Sequence, residues 1–149
     1  MDVQIVPLQA HHRPAWQPLA EGYKAFYRTP TTMSEYDLAW ARIVAAEQVH
    51  GLGAVRDGRL VGIAHFLYHA STWAERICYL QDLFTEESVR GQGVARALIA
   101  AVAERARQAG AARYYWLTQE NNEVARALYD KVARFNGFIR YDGRMAMDG

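Results

Sequence analysis

A chain of 149 residues, 51% apolar and 22% charged, has the length and composition to bury one sizeable core, and residues 1–149 read as a single domain. A formal net charge of +1, with arginines interleaved among acids, excludes an electrostatic case for nucleic acid or for a membrane surface. No apolar run approaches the ~20 residues of a membrane span, and the N-terminus lacks the basic, apolar and small-residue series of a signal peptide, so a cytoplasmic protein is expected.

Asp2 to Leu8 alternates apolar and polar around Val3 and Ile5 and predicts a first strand, closed by Pro7. Trp16, Leu19, Ala20, Tyr23 and Tyr27 recur at helical spacing from Pro14, a residue suited to a first helical turn. Thr29 to Thr32, with Pro30, ends that helix. Ser34 and Asp37 predict the N-terminal cap of a second helix with Tyr36, Ala39, Trp40 and Ile43 inward. Gly51 to Arg56 and Leu60 to His69 predict two strands joined by the hairpin signal Asp57-Gly58. After a loop from Ala70 to Arg76, the apolar and aromatic run Ile77 to Phe84 predicts a buried central strand. It contains the single cysteine, Cys78, which reads as a small core hydrophobe.

Val94, Ala97, Leu98, Ala101 and Val102 form one apolar helical face, and Gly110 stops that helix. Arg113 to Leu117 predicts a further strand and Thr118 to Asn121 its exit loop. Asn121 or Asn122 then caps a helix whose buried side carries Val124, Leu128, Val132 and Phe135. Gly137 to Tyr141 and Arg144 to Met147, separated by Asp142-Gly143, predict a closing hairpin. The order β-α-α-β-β-β-α-β-α-β-β is a mixed α/β domain.

Between the central strand and its helix lies a glycine-rich turn. Gly91 and Gly93 let the backbone turn tightly and present the N–H groups that a first helical turn leaves unpaired; with Arg90 they make a seat for phosphate. No Gly-Lys-Ser/Thr follows, which excludes a P-loop, and Arg96 stands where a dinucleotide fingerprint needs its third glycine.

Arg90, Gly93 and Ala95 make Arg-x-x-Gly-x-Ala, and Asn122-x-x-Ala125-x-x-x-Tyr129 follows about thirty residues on. Together they resemble the GNAT superfamily of N-acetyltransferases, along nearly the entire chain. The resemblance implies the acyl-CoA N-acyltransferase fold, a mostly antiparallel central sheet with helices on both faces. It also implies acetyl-CoA as co-substrate. The turn Arg90, Gly91, Gln92, Gly93, Val94 and Ala95 would hold the pyrophosphate. The backbone at Leu83, Phe84 and Thr85 would pair with the pantetheine arm as an added strand, one N–H facing the thioester oxygen. Asn122 and Ala125 would contact the cofactor, and Tyr129 would be the general acid for the leaving thiolate.

On the acceptor side, Gly22-Tyr23, Phe26-Tyr27, His65-Phe66-Leu67, Tyr79 to Leu83 and Tyr115 to Thr118 resemble the yeast histone/polyamine acetyltransferases and their bacterial relatives. The resemblance makes Tyr23, Tyr27, His65, Gln81 and Thr118 substrate contacts, although Tyr23, Tyr27, Trp73 and Trp116 suit core packing equally well. Many members that act on polyamines carry a glutamate where this chain has Gln81, which cannot take a proton at neutral pH. A bulge known in this strand of the family leaves Asp82 as the candidate base, and a water chain stays open. His65 and His69 read as structural or substrate-lining.

The expected activity is direct transfer of acetyl to a primary amine of a small molecule, a polyamine or an amino acid-like compound. No metal is expected, because the histidines are scattered. A homodimer is expected by resemblance. Two alternatives remain: a non-catalytic acyl-CoA-binding module, which Gln81 favours and Tyr129 opposes, and a protein-lysine acetyltransferase.

Overall fold

The computed structural model describes residues 2–145, and the chain divides into two compact units, Met1–Leu117 and Thr118–Gly149. The first unit contains a five-stranded sheet of β1 (Gln4–Pro7), β2 (Val49–Arg56), β3 (Arg59–His69), β4 (Ile77–Thr85) and β5 (Tyr114–Tyr115), paired in that order. The first three junctions are antiparallel and only β4–β5 is parallel. Asp57 and Gly58 take φ of 52° and 75°, the left-handed pair that a tight two-residue hairpin requires. The predicted strand over Arg113 to Leu117 is realised only at Tyr114 and Tyr115, which pair with Cys78 and Tyr79.

Helices α1 (Arg13–Phe26) and α2 (Met33–Ala45) cover one face of this sheet. Trp16, Leu19, Ala20, Tyr36, Trp40 and Ile43 meet Leu8, Leu60 and Ile63 in one buried cluster. Each large side chain withdrawn there contributes roughly 1.5–3 kcal/mol. Gly51 permits the close approach: a Cβ there would lie 2.6 Å from Ile43 Cγ2. The cap of α2 differs from the sequence reading. Thr32, not Ser34, accepts the Glu35 N–H at 3.2 Å in a reciprocal capping box. Asp37 instead pairs with Arg13 of α1 at 2.7 Å.

Helix α3 (Val94–Gln108) covers the opposite face with Val94, Leu98, Ile99, Val102 and Ala106 buried. Helices therefore flank the sheet on both faces. Cys78 is fully buried, and burial pushes its thiol up to about 11. As the chain's single thiol it should resist a disulfide reagent at pH 8 while folded and react fully in denaturant. Rapid labelling of the folded protein would remove it from the core.

The β3–β4 ladder carries one irregularity that decides where the chemistry sits. Asp82 lies opposite His65, but Leu80 lies opposite Phe66, so Gln81 is an extra residue in β4. His65 and Phe66 are neighbours and point to opposite faces. Without the insertion, Leu80 and Asp82 would share a face; with it, Leu80 packs on the α3 side and Asp82 turns toward α1.

In the second unit, α4 (Glu123–Val132) has no buried residue. Leu128 and Val132 are half-buried, but Val124 and Phe135 are exposed, which corrects the predicted buried side. The closing hairpin is likewise not formed among the described residues, where no strand follows α4. Gly137 has φ of 84° and the Asn136 side chain accepts the Phe138 N–H at 3.0 Å, so a local turn replaces extended chain. Ala146 and Met147 of the predicted last strand lie outside the described residues. No helix among the described residues is long and apolar enough to cross a membrane.

Candidate active site

Four side chains far apart in sequence form a hydrogen-bonded chain between α1 and the sheet. Trp16 Nε1–H donates to His65 Nε2 at 3.0 Å, and His65 Nδ1 lies 2.9 Å from Asp82 Oδ2. Because Nε2 accepts, the proton belongs on Nδ1 and is donated to Asp82: the indole selects the imidazole tautomer. The Tyr23 hydroxyl donates to the same carboxylate. Burial alone would raise the Asp82 carboxyl. The bonds from His65 and Tyr23 and the nearby Lys24 charge outweigh that and hold it below the usual carboxylate range. Asp82 is therefore a standing anion, a quarter exposed. Burial first, and the adjoining carboxylate next, push Tyr23 well above the ordinary phenol range and raise Tyr27 as well. Tyr23 stays a donor at any working pH. Its ring lies 4.9 Å from that of Tyr27, which caps the end of α1 and, unlike Tyr23, does not line the cavity beside the carboxylate.

Asp82 and His65, with Ile63, floor a cavity of about 330 Å³ whose walls are α1 and α2. The wall brings in charged residues that local patterning does not single out: Lys24 from α1, and Glu35 and Arg42 from α2. A charged residue at an exposed helical position looks the same in a sequence whether or not a cavity lies beside it. Gln81, by contrast, has an exposed side chain as the bulged residue and does not line this cavity.

On the other side of β4, the turn from Arg90 to Ala95 joins the strand to α3. Gly91 and Gly93 hold φ of 78° and 86°. A Cβ on either would meet nothing within 4 Å, so these glycines serve the backbone conformation and not close packing. No side chain caps α3 and its first turn holds no acid, so the helix start presents free N–H donors and a positive dipole end. The Arg90 guanidinium donates to the Thr85 carbonyl from Nε and Nη2, each at 3.2 Å, and lies over the Phe84 ring. Gln92 accepts from Arg56 and donates to the Ser88 carbonyl, which braces the turn. Val94 is buried at the head of α3, and Ala95 follows it in the first turn.

The strand feeding this turn has an open edge within the first unit. Glu86 N–H pairs with Val61 of β3 at 2.9 Å, so by alternation Phe84 also faces β3 while Leu83 and Thr85 present their N–H and C=O groups away from it, the Thr85 carbonyl being taken by Arg90. Pairing of β4 with β5 stops at Tyr79. A strand-like ligand can therefore lie beside Leu83 to Thr85 and reach the anion-binding turn. An acyl-CoA has that shape, a pantetheine arm carrying amides and ending in a pyrophosphate, and the residues present fit it.

In the second unit, Asn122 precedes α4 without a side-chain cap bond; its Nδ2–H donates to Thr118 Oγ1 at 3.2 Å. Asn122 thus ties the exit loop to the helix start. Ala125 and Tyr129 follow on α4, four residues apart and hence on one face, and both are half-buried.

The comparisons with known proteins converge on the same chemistry. The profile of the Acetyltransferase (GNAT) family matches residues 16–135. A D-amino-acid N-acetyltransferase of Saccharomyces cerevisiae is 32% identical over 136 residues, which is 88% of this chain and 84% of that protein. A thialysine N-epsilon-acetyltransferase of Caenorhabditis elegans is 36% identical over 88 residues, 59% of this chain and 55% of that protein. Among solved structures, an aminoglycoside N-acetyltransferase in complex with the bisubstrate analogue CoA-S-monomethyl-acetylneamine superposes with a TM-score of 0.83. Its identity is 19%, over 97% of this chain and 100% of that one, which speaks for the fold. With the family profile spanning most of the chain and the yeast relative 32% identical along 88% of it, the chain belongs to the GNAT family of acetyltransferases and uses acetyl-CoA.

Proposed function

We propose that this protein transfers the acetyl group of acetyl-CoA directly to the primary amine of a small, amino acid-like molecule seated against Asp82. The observation that carries the reading is the standing carboxylate at the floor of a 330 Å³ cavity, held by His65 and Tyr23 and bordering the open edge of β4. The relatives named for D-amino acids and thialysine support an amino acid-like acceptor.

The turn from Arg90 to Ala95 holds the pyrophosphate, and the backbone of Leu83 to Thr85 aligns the pantetheine arm. Asn122 and Ala125 hold the far side of the cofactor, and Thr118 supports Asn122. Acetyl-CoA supplies an activated thioester. The Leu83 N–H is the donor aimed at its carbonyl oxygen, where negative charge develops. Tyr129 gives its phenolic proton to the departing thiolate. Asp82 attracts the acceptor ammonium, and Tyr23 walls it. An unperturbed amine and an unperturbed carboxyl differ by about 6.5 pKa units, which corresponds to roughly 9 kcal/mol against direct proton transfer. A carboxyl held lower still is an anchor, and the proton leaves to water at its exposed side. Residues 1–149 act as one domain on this reading; the family profile crossing Leu117 supports this.

Two acceptors of different ammonium pKa test the anchor role. The alkaline rise of kcat/KM should move with the acceptor. A rise fixed at one pH for both would assign the proton to a base on the enzyme and overturn it.

A cytoplasmic homodimer completes the proposal. Exposed Phe135, Phe138, Ile139 and Tyr141 in the second unit offer an apolar surface for a second copy. Sedimentation should give twice the monomer mass, and monomer at micromolar concentration would remove the dimer from the reading.

A further inference from the structure

The cavity between α1 and α2 carries both signs of charge, and they are not all paired with one another. Asp82 is bound by His65 and Tyr23, and Lys24 is the cation close enough to depress its carboxyl. Glu35 is spent on the Thr32 capping box. Arg13, on the same pair of helices, is held by Asp37 and Gln17. Arg42 is different. It lines the cavity from α2, its side chain is exposed, and its guanidinium has no hydrogen bond or ion pair among the described residues.

We infer that Arg42 is the specificity-determining residue that binds the carboxylate of the acceptor. This rests on the amino acid-like acceptor proposed above. A zwitterion offers a cation for Asp82 on the sheet and an anion for the opposite helical wall. A guanidinium presents two parallel N–H donors that match a carboxylate, which an ammonium cannot do. Polyamines and other acceptors without an anion gain nothing from Arg42 and meet a like charge there.

The test compares phenylalanine of either hand with phenethylamine, which is the same skeleton without the carboxylate, on the wild type, Arg42→Gln and Arg42→Lys. An exposed helical position tolerates both substitutions. Wild type should prefer one phenylalanine enantiomer over phenethylamine. Arg42→Gln should raise KM for that amino acid about 10- to 100-fold with kcat held, while KM for phenethylamine, which loses only a like charge, should not rise. Arg42→Lys should recover part of the loss. Equal losses on both acceptors, or no loss on the amino acid, would overturn the assignment. Wild type that acetylates phenethylamine but neither amino acid would sink the carboxylate site and leave the Asp82 amine site standing. No acetylated product from any acceptor would remove both.

Discussion

Replacing Asp82 by asparagine should lower kcat/KM for the amine acceptor by about 100-fold or more, with acetyl-CoA affinity unchanged. Asparagine is nearly isosteric. Its carbonyl can still accept from His65 Nδ1–H, which lies 2.9 Å from the carboxylate, so the variant tests charge and not shape. Breaking a desolvated ion pair by neutralising one partner costs roughly 3–5 kcal/mol, and the quarter exposure of Asp82 argues for the low end. About 3 kcal/mol corresponds to somewhat over 100-fold. Steady-state kinetics would show the loss chiefly in KM for the acceptor. A fall of less than about fivefold would move the amine elsewhere.

The same substitution has a pH signature in stability. The Asp82 carboxyl is depressed by its bonds from His65 and Tyr23, after burial is overcome. The stability these bonds contribute is therefore full above the ordinary carboxyl value of about 3.9 and is lost as pH falls through the lower folded-state value. The gap in melting temperature between wild type and Asp82→Asn should be constant near neutrality and close only below about pH 4.

The second large effect is expected at the phosphate seat. Arg90→Glu should weaken acetyl-CoA binding by about 100-fold at low salt, measured by calorimetry, while leaving the fold intact. Three losses coincide. The guanidinium bonds to the Thr85 carbonyl and its contact with Phe84 disappear, so the turn loosens where β4 ends. A positive charge becomes negative beside a pyrophosphate. The free N–H groups at the head of α3, with no acid in the first turn, gain a neighbouring anion that competes with the pyrophosphate for them. Salt separates these contributions: raising ionic strength screens the charge but not the lost geometry, so the deficit should shrink without vanishing. Arg90→Gln should fall between. Affinity within twofold of wild type would dismiss Arg90 from the cofactor site.

Much of the architecture was legible in the sequence because it is written locally. Asp57-Gly58 specified its hairpin, Pro14 opened α1, and the apolar spacing of Trp16, Leu19 and Ala20 named the buried face. Local patterns failed where two equivalent signals compete or where a partner is remote. Thr32-x-x-Glu35 and Ser34-x-x-Asp37 are the same kind of cap, and Arg13, from another helix, draws Asp37 away. The apolar residues from Val124 onward suggested a buried helix side and a closing hairpin. The turn at Asn136 and Gly137 breaks the extended run, and Val124 and Phe135 stand exposed. The candidate site shows the same division. Its glycine turn is contiguous and could be read directly. The tie from Trp16 to His65 spans 49 residues and no periodicity announces it. Position Gln81 drew notice as a missing base, while its structural part is to be the extra residue that turns Asp82 toward α1.

The open edge of β4 carries a consequence for handling the protein. Backbone donors and acceptors left unpaired along a sheet edge are a template for another chain, and many proteins blunt such edges with prolines or lysines. Leu83 to Thr85 hold neither. On the proposed reading the pantetheine arm itself is the cover, and the acyl donor would double as a guard against self-association. Preparations stripped of CoA should aggregate sooner on warming than saturated ones, and amide hydrogens at Leu83 should exchange slowly only when the donor is bound.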